Sequence, residues 1–197
     1  MAKRGSGAAT RRSVLVAAAE IVVRDGASKL TLDAVAERCG LSKGGLLHHF
    51  STKDSLIAAM IEDVAGQFES DLQRNMQGEH GPGSFARAFL RACVDREGIV
   101  KRTIKVSAGI VAAVAINAQL LAPLRKRYGE WSARLEDDGI DPAIAELVRS
   151  AADGLWLGSV LELGSTSAAL RKRMFAKLIE LTQLSAVPVA EPGGAPA

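Results

Sequence analysis

Between Thr31 and Phe50 the run TLDAVAERCGLSKGGLLHHF places a helix start on each side of one glycine, which leaves few ways to fold it. Thr31 can cap a helix over Leu32–Cys39, and Ser42 a second one from Lys43 to about His49, each hydroxyl accepting a backbone N–H at a helix start. Gly40 stands where the first helix must stop and the chain reverse, a place that calls for a positive φ. Ala34, Val35 and Cys39 then meet Leu41, Leu46 and Phe50 across the turn. Two short helices locked this way leave the second projecting from the body, a shape that fits the major groove of DNA.

The rest of the chain also reads as helix. Runs of alternating β-branched or aromatic residues are nearly absent, and aromatics are only 4 % of the composition. A first helix is expected from Thr10 to Arg24 or Asp25, with Leu15, Ala18, Ala19 and Val22 as its buried stripe and Gly26 as its stop. A fourth should begin at Thr52 and run to about Asn75. GEHGPG at 78–83 reads as a loop, and further helices are expected over 84–97, 100–116, 117–137, 142–163 and 167–184. Pro123 would kink the helix that holds it unless that helix starts later. The expected class is all-α with about nine helices. Residues 1–55 make a helix-turn-helix module whose first nine are a flexible basic arm; 56–185 make a larger helical domain, and 186–197 a disordered tail.

Charge supports the split. Residues 1–55 hold nine Lys or Arg against five Asp or Glu, a net of +4, and the remainder sixteen against seventeen, a net of −1. A positive module on a near-neutral body suits a polyanionic partner. Within it, Lys43 and Lys53 put charge at the two ends of the projecting helix, and the capped starts at Thr31 and Ser42 leave N–H groups for phosphates. Gly44 and Gly45 each cost about 1 kcal/mol relative to alanine, which makes sense where backbone must approach DNA closely. Leu47 and His48 point outward, toward a thymine methyl and a base edge or phosphate, while His49 and Lys53 clamp the DNA backbone.

The stretch from Arg11 to Leu56 resembles the DNA-binding domain of the tetracycline-repressor (TetR) family. That family's small-residue run is present as AAAEIVVRDG, its central pattern as the Thr31–Gly44 segment, and its closing pattern as His49, Phe50, Lys53 and Leu56. One departure is Leu47, where the family most often has tyrosine; leucine cannot donate a hydrogen bond to phosphate, so the resemblance carries contacts more firmly at Thr31, Ser42, Lys43 and Lys53. The resemblance implies a regulator, most simply a repressor, that binds a palindromic operator as a homodimer and is released by a small effector. The rival reading is a helical protein that coats DNA or serves as a scaffold, without sequence preference or ligand response.

The resemblance also implies that the helices after the module receive a ligand and form the dimer. Val106–Leu124 carries no charge over nineteen residues, yet Ser107, Asn117, Gln119 and Pro123 and its many alanines argue for a helix buried in protein, not in a membrane. Candidate pocket residues are Phe89, Val106, Ile110, Val114, Leu124, Tyr128, Trp131 and Trp156, for an apolar or aromatic effector, since no cluster of charges awaits an anion. Helices 142–163 and 167–184 offer an interface through Ala151, Gly154, Leu155, Gly158, Ser159, Glu162, Leu170, Met174 and Leu178.

Nothing in the sequence points to catalysis. His48 and His49 diverge by about 100° on a helix and make a poor metal pair, so no metal or cofactor is expected. Cys39 and Cys93 read as buried small residues and fit neither a disulfide framework nor a zinc site. With no signal-peptide pattern at the start, a cytoplasmic protein is expected.

Overall fold

The computed structural model describes residues 7–94, 100–164 and 166–184. Among them are nine α-helices and no strand: α1 (Gly7–Asp25), α2 (Leu32–Cys39), α3 (Lys43–His49), α4 (Lys53–Met76), α5 (Ser84–Val94), α6 (Val100–Ile116), α7 (Ala122–Glu136), α8 (Pro142–Val160) and α9 (Ala168–Leu184). The basic arm's first six residues and the tail over 186–197 lie outside the described residues. Gly7, Ala8 and Ala9, expected in the arm, instead open α1, so Thr10 sits inside that helix and does not cap it. Alanine-rich flanks propagate a helix past a residue that has no turn partner to stop it.

Local signals set most other ends. Asp141 accepts the Ala143 N–H at 2.9 Å ahead of Pro142, and Ser167 the Leu170 N–H at 3.1 Å ahead of α9. The expected helix 117–137 is two pieces. Asn117 accepts the Gln119 N–H at 3.1 Å to start a 3-10 turn over Ala118–Leu121, and α7 follows. Pro123 thus falls in the first turn of a helix, where its missing N–H costs nothing. The uncharged stretch breaks there, and no helix among the described residues is long and apolar enough to cross a membrane. α8 ends at Val160, three residues short of expectation, with Glu162 at φ 53° after it.

The described residues of 7–69, 100–128 and 159–162 make one compact unit, and those of 70–94, 129–158 and 163–184 a second. The units therefore interleave along the chain instead of following one another. In the first unit Val14, Ala18 and Ile21 of α1, Val35 of α2, Leu46 of α3 and Leu56, Ile57 and Met60 of α4 form one core. That core also takes in Val106 of α6 and Leu120 of the 3-10 turn. α6 lies against α1 where Gly109 meets Val22: a Cβ built on Gly109 would be 2.4 Å from Val22 Cγ1.

The second unit is built around aromatic packing, Phe89 edge-on to Trp131 at 5.8 Å and the Arg134 guanidinium 3.9 Å above Phe85. Its loop 78–83 is tied down, not loose. The Arg87 guanidinium donates to Glu79, to the Pro82 carbonyl at 2.8 Å and to the His80 carbonyl at 2.9 Å, and Arg91 also pairs with Glu79. Asp138 accepts the Phe85 and Ala86 N–H groups at 2.8 and 2.7 Å, capping α5 from a distant part of the sequence. Burial pushes its carboxyl above the usual range, opposed by those two hydrogen bonds and by Arg87.

Ser107 on α6 is 2 % exposed, and its hydroxyl has no hydrogen-bond partner among the described residues. Leaving such a group unmade costs about 1–3 kcal/mol. Ser107→Ala should therefore raise the melting temperature by a few degrees. A fall on thermal melting would show that the hydroxyl has a role in the folded chain.

Candidate nucleic-acid interface

The turn between α2 and α3 forms as its residues dictate. Thr31 Oγ1 accepts the Ala34 N–H at 3.1 Å, and Ser42 Oγ the Gly45 N–H at 3.1 Å. Gly40 adopts φ 65°, ψ 30° and sends its N–H back to the end of α2, the left-handed stop that glycine makes cheaply. Leu46 and Phe50 are buried in the first unit's core, while Leu47 and His48 are exposed. One side of α3 anchors it and the other faces solvent.

The exposed side carries most of the predicted contact residues together. Thr31, Ser42, Lys43, Gly44, Leu47, His48 and Lys53 are exposed, and Gly45 and His49 half-buried. At the start of α3 the Lys43 and Gly44 N–H groups precede the first bonds of that helix's own ladder and can face an anion. A Cβ on Gly44 would meet nothing within 4 Å, so packing within the chain does not demand glycine there. At Gly45 a Cβ would come within 3.2 Å of Ser42 Oγ and press on the cap. Gly45 thus has an internal reason that spacing alone did not disclose. The His48 and His49 rings meet edge-on at 5.5 Å.

At the far end of α3, Thr52 and Ser55 cap α4 reciprocally. The Ser55 N–H donates to Thr52 Oγ1 at 3.0 Å and the Thr52 N–H to Ser55 Oγ at 3.2 Å. Lys53 follows at once, its place set by that cap.

Several contacts were not foreseen. Lys43 Nζ lies 3.0 Å from Asp33 Oδ1, both side chains well exposed, so its ammonium is held in place by a partner that solvent and salt weaken. The Arg11 guanidinium stacks 4.5 Å over the Phe50 ring, tying α1 to the end of α3. Arg38 reaches both Glu20 and Asp25, and the hydrogen bond from Arg24 holds the Asp25 carboxyl below its ordinary range. Apart from the adjacent Arg24 and Asp25, these pairs join residues that only the tertiary fold brings together, so no motif marks them.

Cys39 is half-buried, not fully buried as its sequence setting suggested, and sits 3.7 Å from the Ser13 carbonyl. Cys93 is likewise half-buried. Burial raises both thiols above their ordinary pKa, which disfavours the reactive thiolate. No group of three or more His, Cys, Asp or Glu side chains among the described residues could hold a metal ion.

The candidate effector residues fall in both units. Val106 is in the first unit's core, with Ile110, Val114 and Leu124 packed against it and Tyr128 half-buried at the edge of that unit. Phe89 and Trp131 are buried against each other in the second unit, where Trp156 is half-buried. Of the candidate interface residues, Gly154, Glu162, Leu170 and Met174 are exposed, and Ala151, Leu155, Gly158 and Ser159 half-buried. Leu178 is buried within the chain itself.

Comparison with known proteins covers both halves of the chain. Residues 14–60 match the model described as bacterial regulatory proteins, tetR family, and residues 83–183 the tetracyclin repressor-like C-terminal domain. Over 106 residues the chain is 27 % identical to the HTH-type transcriptional regulator BetI 1 of Chromohalobacter salexigens, covering 53 % of this chain and 52 % of that protein. The match thus spans about half the length of that relative. A transcriptional regulator from Rhodococcus sp. Rha1 shares the fold with a TM-score of 0.70 at 22 % identity, over 91 % of this chain and 99 % of the other. The multidrug binding protein EbrR, complexed with ethidium, does so with a TM-score of 0.63 at 19 % identity, over 86 % and 97 %.

Proposed function

The chain belongs to the tetR family of bacterial regulatory proteins, and from that premise we propose that it is a cytoplasmic, ligand-responsive repressor that binds a palindromic DNA operator as a homodimer. The observation that carries the DNA half is α3 itself. It is anchored by Leu46 and Phe50, open on the Leu47–His48 side, with Lys43 at one end and Lys53 just beyond the other. Thr31, Ser42, Gly44, Gly45 and His49 complete the contact surface, hydroxyls and backbone toward phosphates, Leu47 and His48 toward base edges.

One such helix reads too few base pairs alone, so two must be held about 34–36 Å apart, or a multiple of it. The pairing surface we assign is α8 with α9. Leu147 is 52 % exposed and shares a helix face with Ala151, Gly154 and Gly158, while Leu170 on α9 is 46 % exposed. Such apolar exposure on two helices suits a four-helix interface about a two-fold axis.

The effector is a small apolar or aromatic molecule received by the helices after the DNA-reading module, with Phe89, Trp131 and Trp156 of the second unit as its aromatic contacts. The fold neighbour complexed with ethidium supports an aromatic ligand. Release requires that the effector bind the non-operator arrangement more tightly; equal affinity shifts nothing. α4 supplies residues to both compact units and is the element through which we expect the change to pass.

Selection of bound fragments from a random DNA library should yield a palindrome. Lys53→Ala should then weaken binding to that fragment and to unrelated DNA alike, and reduce the slope of log affinity against log salt by about 0.9 for each phosphate that is no longer neutralised. Selection that returns no preferred sequence would favour the DNA-coating alternative. An unchanged salt slope in Lys53→Ala would refute the docking assigned here.

A further inference from the structure

The first unit holds a half-open cleft of about 420 Å³, lined in part by Ile110 and Lys53 but otherwise by residues given no role above. Its walls are Val22 of α1, Leu30 ahead of α2, Ile57 and Met60 of α4, and Gly109 and Ala113 of α6. Its volume falls within the range of small-molecule sites, roughly 300–1,000 Å³. It owes its existence to α6. Gly109 lets that helix touch α1, and the small side chains of Ala112 and Ala113 in the next turn leave the space beside the contact unfilled.

The walls are mainly apolar, and their polar groups are Ser28, Lys53 and the Asp54–Asn117 pair. Asp54 Oδ2 accepts the Asn117 Nδ2–H at 2.8 Å, which uses only part of the carboxylate's accepting capacity. Lys53 also lines the cleft, so its walls hold one anion and one cation, and the apolar remainder penalises a charged guest.

We propose that this cleft is a binding site for a neutral aromatic molecule carrying one hydroxyl or N–H. Its rings lie against Val22, Ile57 and Met60, and its donor group bonds the Asp54 carboxylate. A cavity of about 150 Å³ accepts a single benzene ring, so two fused rings fit this one. The occupant touches α1, α4 and α6 at once, among them core residues that seat α3. The site is distinct from the aromatic effector contacts at Phe89, Trp131 and Trp156, and does not depend on them.

The test is titration of the full chain with 1-naphthol, followed by its fluorescence and by calorimetry. Saturable binding is expected, with a component of Kd below about 1 mM that filling the cleft removes. Naphthalene, which lacks the hydroxyl, should bind about tenfold more weakly, the usual worth of one hydrogen bond. Ala113→Leu, which fills the cleft, should weaken 1-naphthol at least tenfold. Should that variant lose its fold, Ala112→Phe at the exposed mouth tests the same point without disturbing the core. Gly129→Ala, on the exposed face of α7, should leave the affinity unchanged. Retention of full affinity in both Ala113→Leu and Ala112→Phe would overturn this site and leave the ligand-responsive repressor intact. Absence of saturable binding to the unaltered chain would overturn it as well, while operator selection judges the repressor independently.

Discussion

Leu46→Ala should lower stability by about 3 kcal/mol and loosen the DNA-reading helix from its seat. Leu46 is 0 % exposed, in the core shared by α1, α2 and α4, and buried leucine-to-alanine changes cost roughly 2–5 kcal/mol through lost burial and the cavity left behind. For a chain of this size each kcal/mol lowers the melting temperature by about 2–4 °C, so a drop of roughly 6–12 °C should be seen by circular dichroism. Leu47, one residue on, is 39 % exposed and turned to the other side. Leu47→Ala should leave the melting temperature nearly unchanged and lower only the affinity for operator DNA. A melting shift of similar size in both variants would mean that α3 is not anchored on one side and free on the other.

The second large effect concerns two glycines in helices. Alanine for glycine inside an exposed helix normally stabilises by up to about 1 kcal/mol, because the more flexible residue loses more freedom on folding. Gly129→Ala on α7 should do so, since a Cβ there meets nothing within 4 Å. Gly109→Ala should go the opposite way. Its new methyl would overlap Val22 Cγ1, a buried side chain in the core, and α6 must move away from α1 to admit it. Such overpacking costs typically about 1–3 kcal/mol. Chemical denaturation of the two variants side by side should therefore give shifts of opposite sign. Equal stabilisation of both would mean that α6 does not rest on α1.

The turn that joins α2 to α3 was legible because its signals are local. Thr31, Ser42 and Thr52 act within three residues of themselves, and Gly40 needs only its own φ, so each helix boundary around α2 and α3 is written beside the residue that makes it. The seating of α6 was not legible. Apolar periodicity says that a helix is buried on every side; it does not say by what, and Val106 is buried in the core that also holds α3. Arg11 over Phe50 and Asp33 beside Lys43 escaped for the same reason. Pro123 is the intermediate case, since proline's geometry allowed either a kink or a later start and the Asn117 hydrogen bond decided for the second. For the effector and interface residues the sequence supplied apolar spacing, which a core, a pocket wall and a subunit contact all share.

Because Leu120 helps to close the core around Met60, the N-terminal part of the protein leaves the ribosome before its own interior can be completed. At common elongation rates of about 5–20 residues per second, that delay is roughly 3–12 s. During it the apolar sides of α1 and α4 have no lid, and a nascent chain in that state offers chaperones and proteases a target that the finished protein hides. The first unit's core is thus completed late in synthesis, although most of its residues are among the first to be made.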